Sequence, residues 1–236
     1  MNRTARHHLA VSLVASIGLS TGCRSTEPRM GTVSDPFGEL QRGNTRFVDN
    51  KPRHPHSDPR WRHYTAVHGQ HPWATVVSCS DSRVPVEMIF DAGLGDLFVV
   101  RVAGNVVEAH ESGSVEYAVE HLHTPLVVVI GHERCGAVDA VVQGGVGHGD
   151  MPHLVEHIRP VVTRLRAQQP DLSAEALLHA AVRENVIHSM NDLLNRSRIV
   201  REAVEAGHLK LRGGVYDIDT AKIDWIEDNL KNDQPR

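Results

Sequence analysis

A chain of 236 residues with a net charge of -4 offers no basic face to a nucleic acid. Its 40% hydrophobic and 23% charged content is that of a globular domain and excludes a disordered or fibrous chain. Aromatic residues make up only 4%, so a core must rest on Val, Leu, Ile and Ala, and most of the 17 histidines lie among polar residues, where they read as solvated surface groups.

In chain order, the first segment reads as an export signal. Arg3 and Arg6 give a positive start, residues 9–21 form a short apolar stretch, and Gly22-Cys23 closes it. The stretch is too short to span a bilayer as a mature helix and has the length of a signal peptide. Ser20, Thr21 and Gly22 before Cys23 resemble a bacterial lipobox, although Leu19 stands four residues before the cysteine where the usual pattern has it three before. Ordinary signal cleavage nearby is the competing reading. The lipobox reading makes residues 1–22 a signal peptide and Cys23 the lipidated residue. Residues 23–34, polar and without periodicity, become a tether, and residues 35–236 a single domain. The protein is then exported, periplasmic and held to a membrane by lipid.

Asp35-Pro36 opens a predicted helix, with Pro tolerated in the first turn and Phe37, Leu40 and Phe47 near one face. Residues 51–70, rich in His, Pro and Arg, read as irregular. Residues 73–78, 97–102 and 126–130 are short apolar runs of β-forming residues and read as buried strands. Between the last two, Val115, Ala118, Val119 and Leu122 fall at the spacing of an amphipathic helix over 112–122. Strand–helix–strand predicts a right-handed parallel crossover. Aliphatic runs without alternation suit a parallel sheet covered on both faces.

Residues 136–142 begin another helix, broken by the glycines of 144–149. Leu154, Ile158, Val161, Val162 and Leu165 mark a further helix that Pro160 should kink or divide. Ser173 is a predicted N-cap for a long helix to about Leu194, and residues 197–206 form a shorter one stopped at Gly207. Residues 209–211 and 215–218 read as a last strand interrupted by Gly213-Gly214, and 223–230 suits a strand or a terminal helix equally. The expected fold class is α/β, a mostly parallel β-sheet flanked by helices.

The chemistry sits where two predicted strands end. Cys79-Ser80-Asp81-Ser82-Arg83 follows the first strand and His132-Glu133-Arg134-Cys135 follows the third; strand ends are where open α/β sheets place their sites. Two thiolates and one imidazole are the ligand types zinc prefers. His132 and Cys135 lie three apart, so one turn at the head of a helix aims both at one ion, and Cys79 reaches it from another strand end. Three protein ligands leave one corner open, the mark of a catalytic site, at which zinc lowers the pKa of bound water. One Zn2+ per chain is expected. Asp81 is either a fourth ligand or the partner of Arg83, whose planar fork suits a carboxylate. In the second arrangement Asp81 accepts a hydrogen bond from zinc-bound hydroxide. A plain turn salt bridge is the alternative for this pair. A disulfide between Cys79 and Cys135 is the alternative for the cysteines of an exported chain; His132 and Asp81 beside them favour a metal.

Together these motifs resemble the β-class carbonic anhydrases. The likeness extends to Gly95-Asp96-Leu97-Phe98-Val99-Val100-Arg101, to Ala103-Gly104-Asn105, to Ser114-Val115-Glu116-Tyr117-Ala118-Val119 and to Gly213-Gly214-Val215-Tyr216-Asp217. The resemblance implies reversible hydration of carbon dioxide and a homodimer, or a higher homo-oligomer, in which each site is completed by a partner. It implies that Gln70, nine residues before Cys79, reaches across the dimer interface to hold bicarbonate. Phe98 and Tyr117 match the aromatic wall of the carbon dioxide pocket, and Gly136 matches a residue whose backbone N–H meets substrate. Ala103 stands where the family often has valine. A bacterial subclass builds an inhibitory bicarbonate site on a tryptophan where this chain has Val76. Arg101 matches that subclass's arginine, but a valine side chain has no donor, so the inhibitory site should be absent. Three other readings remain: hydrolysis of carbonyl sulfide or carbon disulfide on the same scaffold, a non-catalytic zinc-stabilised binding module, and a redox protein using Cys79 and Cys135.

Overall fold

The structure, a computed structural model, describes residues 33–145 and 147–226. The signal peptide, Cys23 and the tether up to residue 32 lie outside the described residues, as do residues 227–230 of the last predicted element. Two helices come first, α1 (Pro36–Val48) and α2 (Pro59–His68), followed by β1 (Ala74–Ser78), the short α3 (Val86–Ile89) and β2 (Leu97–Arg101). A 3-10 turn at Ala103–Asn105 leads to α4 (Ala109–Glu120), β3 (Leu126–His132) and α5 (Gly136–Val142). Then come α6 (Met151–Gln168), α7 (Ala174–Arg196), α8 (Arg198–Glu205), β4 (Lys210–Tyr216) and β5 (Ile223–Ile226).

The strands form one sheet in the order β2-β1-β3-β4-β5. The first four are parallel, and β5 runs antiparallel to β4. This is the expected α/β architecture, and both faces of the sheet are covered. Successive side chains on a strand point to opposite faces. Val76, Val128 and Ile130 therefore join Leu40, Ile89 and Phe90 beneath α1 and α3, while Val77, Val127 and Val129 join Val138, Ile158, Val186 and Leu193 beneath α5, α6 and α7. Every residue of β1 and β3 is buried, which is why their sequences show no apolar–polar alternation.

Caps and breakers explain most boundaries. Asp35 accepts from the N–H of Gly38 ahead of Pro36, Ser173 from that of Ala176, and Ser197 from that of Val200, so Ser197 ends α7 and starts α8. Pro160 lies inside α6 without dividing it. Residues 51–70 are a correction: α2 occupies most of the second half, capped by Asp58 on the N–H groups of Arg60 and Trp61. It escapes a periodicity search because Trp61 alone is buried, its indole N–H donating to Leu94 O at 2.7 Å. A second correction concerns Gly213-Gly214, which do not interrupt β4. They let neighbours approach: a Cβ at Gly213 would lie 2.7 Å from Met190 Sδ on α7, and one at Gly214 2.7 Å from Ile223 Cγ2 on β5. Residues 223–226 resolve as strand.

The same close approach occurs at Gly131, the residue before His132, where an added Cβ would lie 2.6 Å from Val186 Cγ2. Val186 is fully buried and cannot step aside. Gly131→Ala should therefore destabilise the fold by roughly 1–3 kcal/mol, the scale of core overpacking. Urea unfolding of the variant against the parent measures this, and an unchanged midpoint would show that α7 yields freely.

Candidate metal centre

The centre is built by adjacent parallel strands. β1 and β3 pair in register, with Ser78 opposite Ile130, so their carboxyl ends stop side by side. Cys79 is the first residue beyond β1 and His132 the last of β3. Arg134 takes a left-handed φ of 51°, which turns the chain sharply after β3 and brings Cys135 to the N-cap of α5. The result is that one donor atom each from Cys79, His132 and Cys135 lie within 4.8 Å of one another, all three residues buried. Both cysteines are free thiols.

His132 is the most telling of the three. Its side chain is fully buried, Nδ1 lies 2.9 Å from Glu133 O, and among the described residues Nε2 has no hydrogen-bond partner. A carbonyl oxygen only accepts, so Nδ1 carries the proton and Nε2 is left with a lone pair aimed at the two sulfurs. An orphaned buried acceptor of this kind is costly unless a cation completes it. Charge on the sulfurs agrees. The Cys79 thiol is held well below its usual range, first by a hydrogen bond from the Cys135 thiol and then by the backbone N–H groups of Gly104 and Asp81. Cys135 is pushed up by that same bond to the Cys79 sulfur and by burial. A metal ion bound by both sulfurs would take the place of the hydrogen bond between them. Donor set, spacing and the bare Nε2 all fit zinc.

Asp81 does not lie among the three donors. Arg83 grips it with Nε to Oδ1 at 2.9 Å and Nη2 to Oδ2 at 2.7 Å, and the Arg83 backbone N–H adds a third bond to Oδ1 at 2.9 Å. This fork holds the Asp81 carboxyl well below the usual carboxylate range. Oδ2 still lies only 3.8 Å from His132 Nε2, so the carboxylate stands at the edge of the centre, tied back. Of the two arrangements open from the sequence, the structure holds the Asp81–Arg83 pair.

The remaining expectations fall out unevenly. Phe98 on β2 and Tyr117 on α4 face each other with ring centroids 6.1 Å apart, Tyr117 being 48% exposed. Gly136 opens α5 directly after Cys135, and a Cβ there would meet nothing within 4 Å among the described residues. Gln70 is exposed between α2 and β1, and among the described residues no hydrogen bond ties it to the centre. Val76 is fully buried in the sheet, and the Arg101 guanidinium is engaged by Cys79 O at 3.0 Å and Asp81 O at 2.7 Å. Sequence reading missed the groups that hold the Cys79 sulfur, the N–H of Gly104 at 3.3 Å and of Asp81 at 3.4 Å. Backbone donors have no residue-type signature; only Gly104 itself, in a left-handed turn at φ 73°, hinted at a special conformation.

Comparison with known proteins agrees with this geometry. The family model for carbonic anhydrase matches residues 74–223. Carbonic anhydrase 2 of Mycobacterium tuberculosis is 38% identical over 198 residues, 82% of this chain and 92% of that protein. Among solved structures, the β-carbonic anhydrase CafA of Aspergillus fumigatus matches with a TM-score of 0.67 at 27% identity, over 82% of this chain and 91% of that one. A tetrameric β-carbonic anhydrase of Sordaria macrospora shares the fold, with a TM-score of 0.67 at 24% identity over 82% and 98% of the two chains. The chain belongs to the β-carbonic anhydrase family.

Proposed function

We propose that the chain catalyses the reversible hydration of carbon dioxide to bicarbonate and a proton, with one zinc ion held by Cys79, His132 and Cys135. The observation that carries this is the buried, unpartnered Nε2 of His132 facing two sulfurs. Bound there, zinc would supply the Lewis acidity that makes a water oxygen nucleophilic near neutral pH. The chain's own residues do the rest. Asp81 is kept anionic by Arg83, so it is an acceptor at all neutral pH values, and its Oδ2 beside Nε2 orients the proton of the attacking water. Arg83 also keeps that carboxylate from moving in as a fourth ligand. The Gly136 N–H and Gln70 of the partner subunit hold the oxygens of bicarbonate, and the Phe98 and Tyr117 rings give a linear, apolar molecule an aromatic wall.

Three donors plus a tied-back Asp81 argue against a closed structural metal site. Hydrolysis of carbonyl sulfide or carbon disulfide has no observation in its favour. For the assembly we read a homodimer or higher homo-oligomer. β2 is an edge strand whose apolar residues are only part-buried, and Met88, Leu94 and Tyr117 are large exposed apolar groups, a combination that a second copy would cover. The oligomeric relative supports this. For location, residues 1–22 read as a signal peptide, 23–34 as a tether and 35–236 as the catalytic domain, in a bacterial periplasmic lipoprotein anchored through Cys23.

Stopped-flow hydration of carbon dioxide, with metal analysis on the same sample, tests the activity. Cys135→Ser should lose both zinc and turnover, since a hydroxyl does not replace a thiolate; full zinc occupancy in that variant would remove Cys135 from the ligand set. Arg83→Ala should keep its zinc and lose turnover by about a hundredfold or more, the scale of a misplaced acid–base group, because Asp81 is freed to occupy the open corner. A fully active Arg83→Ala enzyme would make the pair structural only. Cys23→Ala should move the protein from the membrane fraction to the soluble fraction, several acyl chains each adding about 0.8 kcal/mol per buried CH₂ to anchoring. A parent protein already soluble, with a different mature N-terminus, would favour plain secretion.

A further inference from the structure

Gly104 links the metal centre to α7 by hydrogen bonds on both sides of its turn. Its N–H donates to Cys79 Sγ at 3.3 Å and its carbonyl accepts from Asn185 Nδ2 at 2.7 Å. Its turn is wedged tightly: an added Cβ would lie 2.9 Å from Ile158 Cδ1 on α6 and 3.2 Å from Ala137 Cβ on α5. Asn185 sits in the middle of α7 and is 1% exposed. Among the described residues its Oδ1 has no partner. Burying an amide with one end unsatisfied is unfavourable, and an aliphatic side chain would fill the same place without that penalty. The one strong bond this amide makes is therefore the one that counts, and it ends on Gly104. One turn further along α7, the buried Ser189 Oγ meets Asn105 Nδ2 at 3.5 Å, a longer contact on the neighbouring residue of the same turn.

We propose that Asn185 is a positioning residue for the metal centre: by fixing the carbonyl of Gly104 it fixes the turn that presents the Gly104 N–H to the Cys79 sulfur. That N–H withdraws charge from the thiolate and limits its movement, so α7 tunes how strongly and how rigidly Cys79 binds the ion. The inference rests on the reading that Cys79, His132 and Cys135 hold zinc. Partners one shell out from metal ligands typically change metal affinity or activity by about 10–100-fold, although they never touch the ion.

Asn185→Leu removes the donor while keeping the volume close. The zinc-loaded variant should still contain one zinc per chain but release it to a chelator about 10–100-fold faster than the parent. In cobalt-substituted protein its sulfur-to-cobalt absorption band should be shifted. Ser189→Ala is the control, since it removes a buried polar group from the same helix face without touching Gly104; it should lower the melting temperature yet keep the parent's release rate and cobalt spectrum. Parent-like release and spectrum in Asn185→Leu would overturn the proposal, leaving Asn185 a packing residue. If that variant does not fold, the parent protein loaded with cadmium-113 decides: the Gly104 amide nitrogen should show scalar coupling to the metal through Sγ, and its absence would overturn the N–H to sulfur link. A parent protein that binds no zinc is a different result, and it would refute the metal centre itself.

Discussion

Everything at the site follows from the parallel pairing of β1 with β3. Two neighbouring parallel strands end at the same edge of a sheet, so residues just past their carboxyl ends are brought together whatever their separation in sequence. Here that separation is wide, and the pairing of Ser78 with Ile130 is what places Cys79 beside His132. The pairing is in turn held by burial on both faces, Val76 and Val128 on one side and Val77, Val127 and Val129 on the other. Because side chains alternate, a slip of one residue would exchange the two faces and misplace His132.

The second constraint is electrostatic. Two sulfurs and an imidazole are packed where water is excluded, and such groups are tolerated only if every one has a partner. Glu133 O satisfies Nδ1 of His132, and the N–H groups of Gly104 and Asp81 satisfy the Cys79 sulfur. Arg101 closes the loop from behind by bonding the carbonyls of Cys79 and Asp81, and Arg83 bonds both the Asp81 carboxylate and Arg134 O. Among the described residues, Nε2 of His132 stays unsatisfied at the centre, and its clustering with the two sulfurs points to a single place for a cation.

Helix α7 has more influence on this centre than its distance along the chain suggests. It lies against β3 at Gly131 and against β4 at Gly213, where the absence of a side chain lets the helix sit close to the sheet. That closeness is what lets Asn185 reach Gly104. The glycines at 131 and 213, the amide at 185 and the turn at Gly104 form one mechanical unit, running from the helix to the sulfur of Cys79.

Much of this was written in the chain as local pattern. The aliphatic runs of β1 and β3, the stripe of Val115, Ala118 and Val119, the capping serines and the spacing of His132 and Cys135 each report a period, a breaker or a ligand type that operates within a few residues. The family resemblance followed from the same short motifs, and the comparisons agree with it. Helix α2 was illegible because it buries Trp61 alone and so carries no stripe, and the continuity of β4 through Gly213-Gly214 was illegible because those glycines answer to neighbours on α7 and β5. By itself, then, the sequence determined which residue types gather at two strand ends, and so the chemistry. Only the tertiary structure decided that Asp81 is turned back onto Arg83, since a local pair can close in either direction; and only it decided that the Gly104 N–H holds Cys79 with Asn185 behind it, because those contacts join residues far apart in the chain and run through backbone groups that every residue carries.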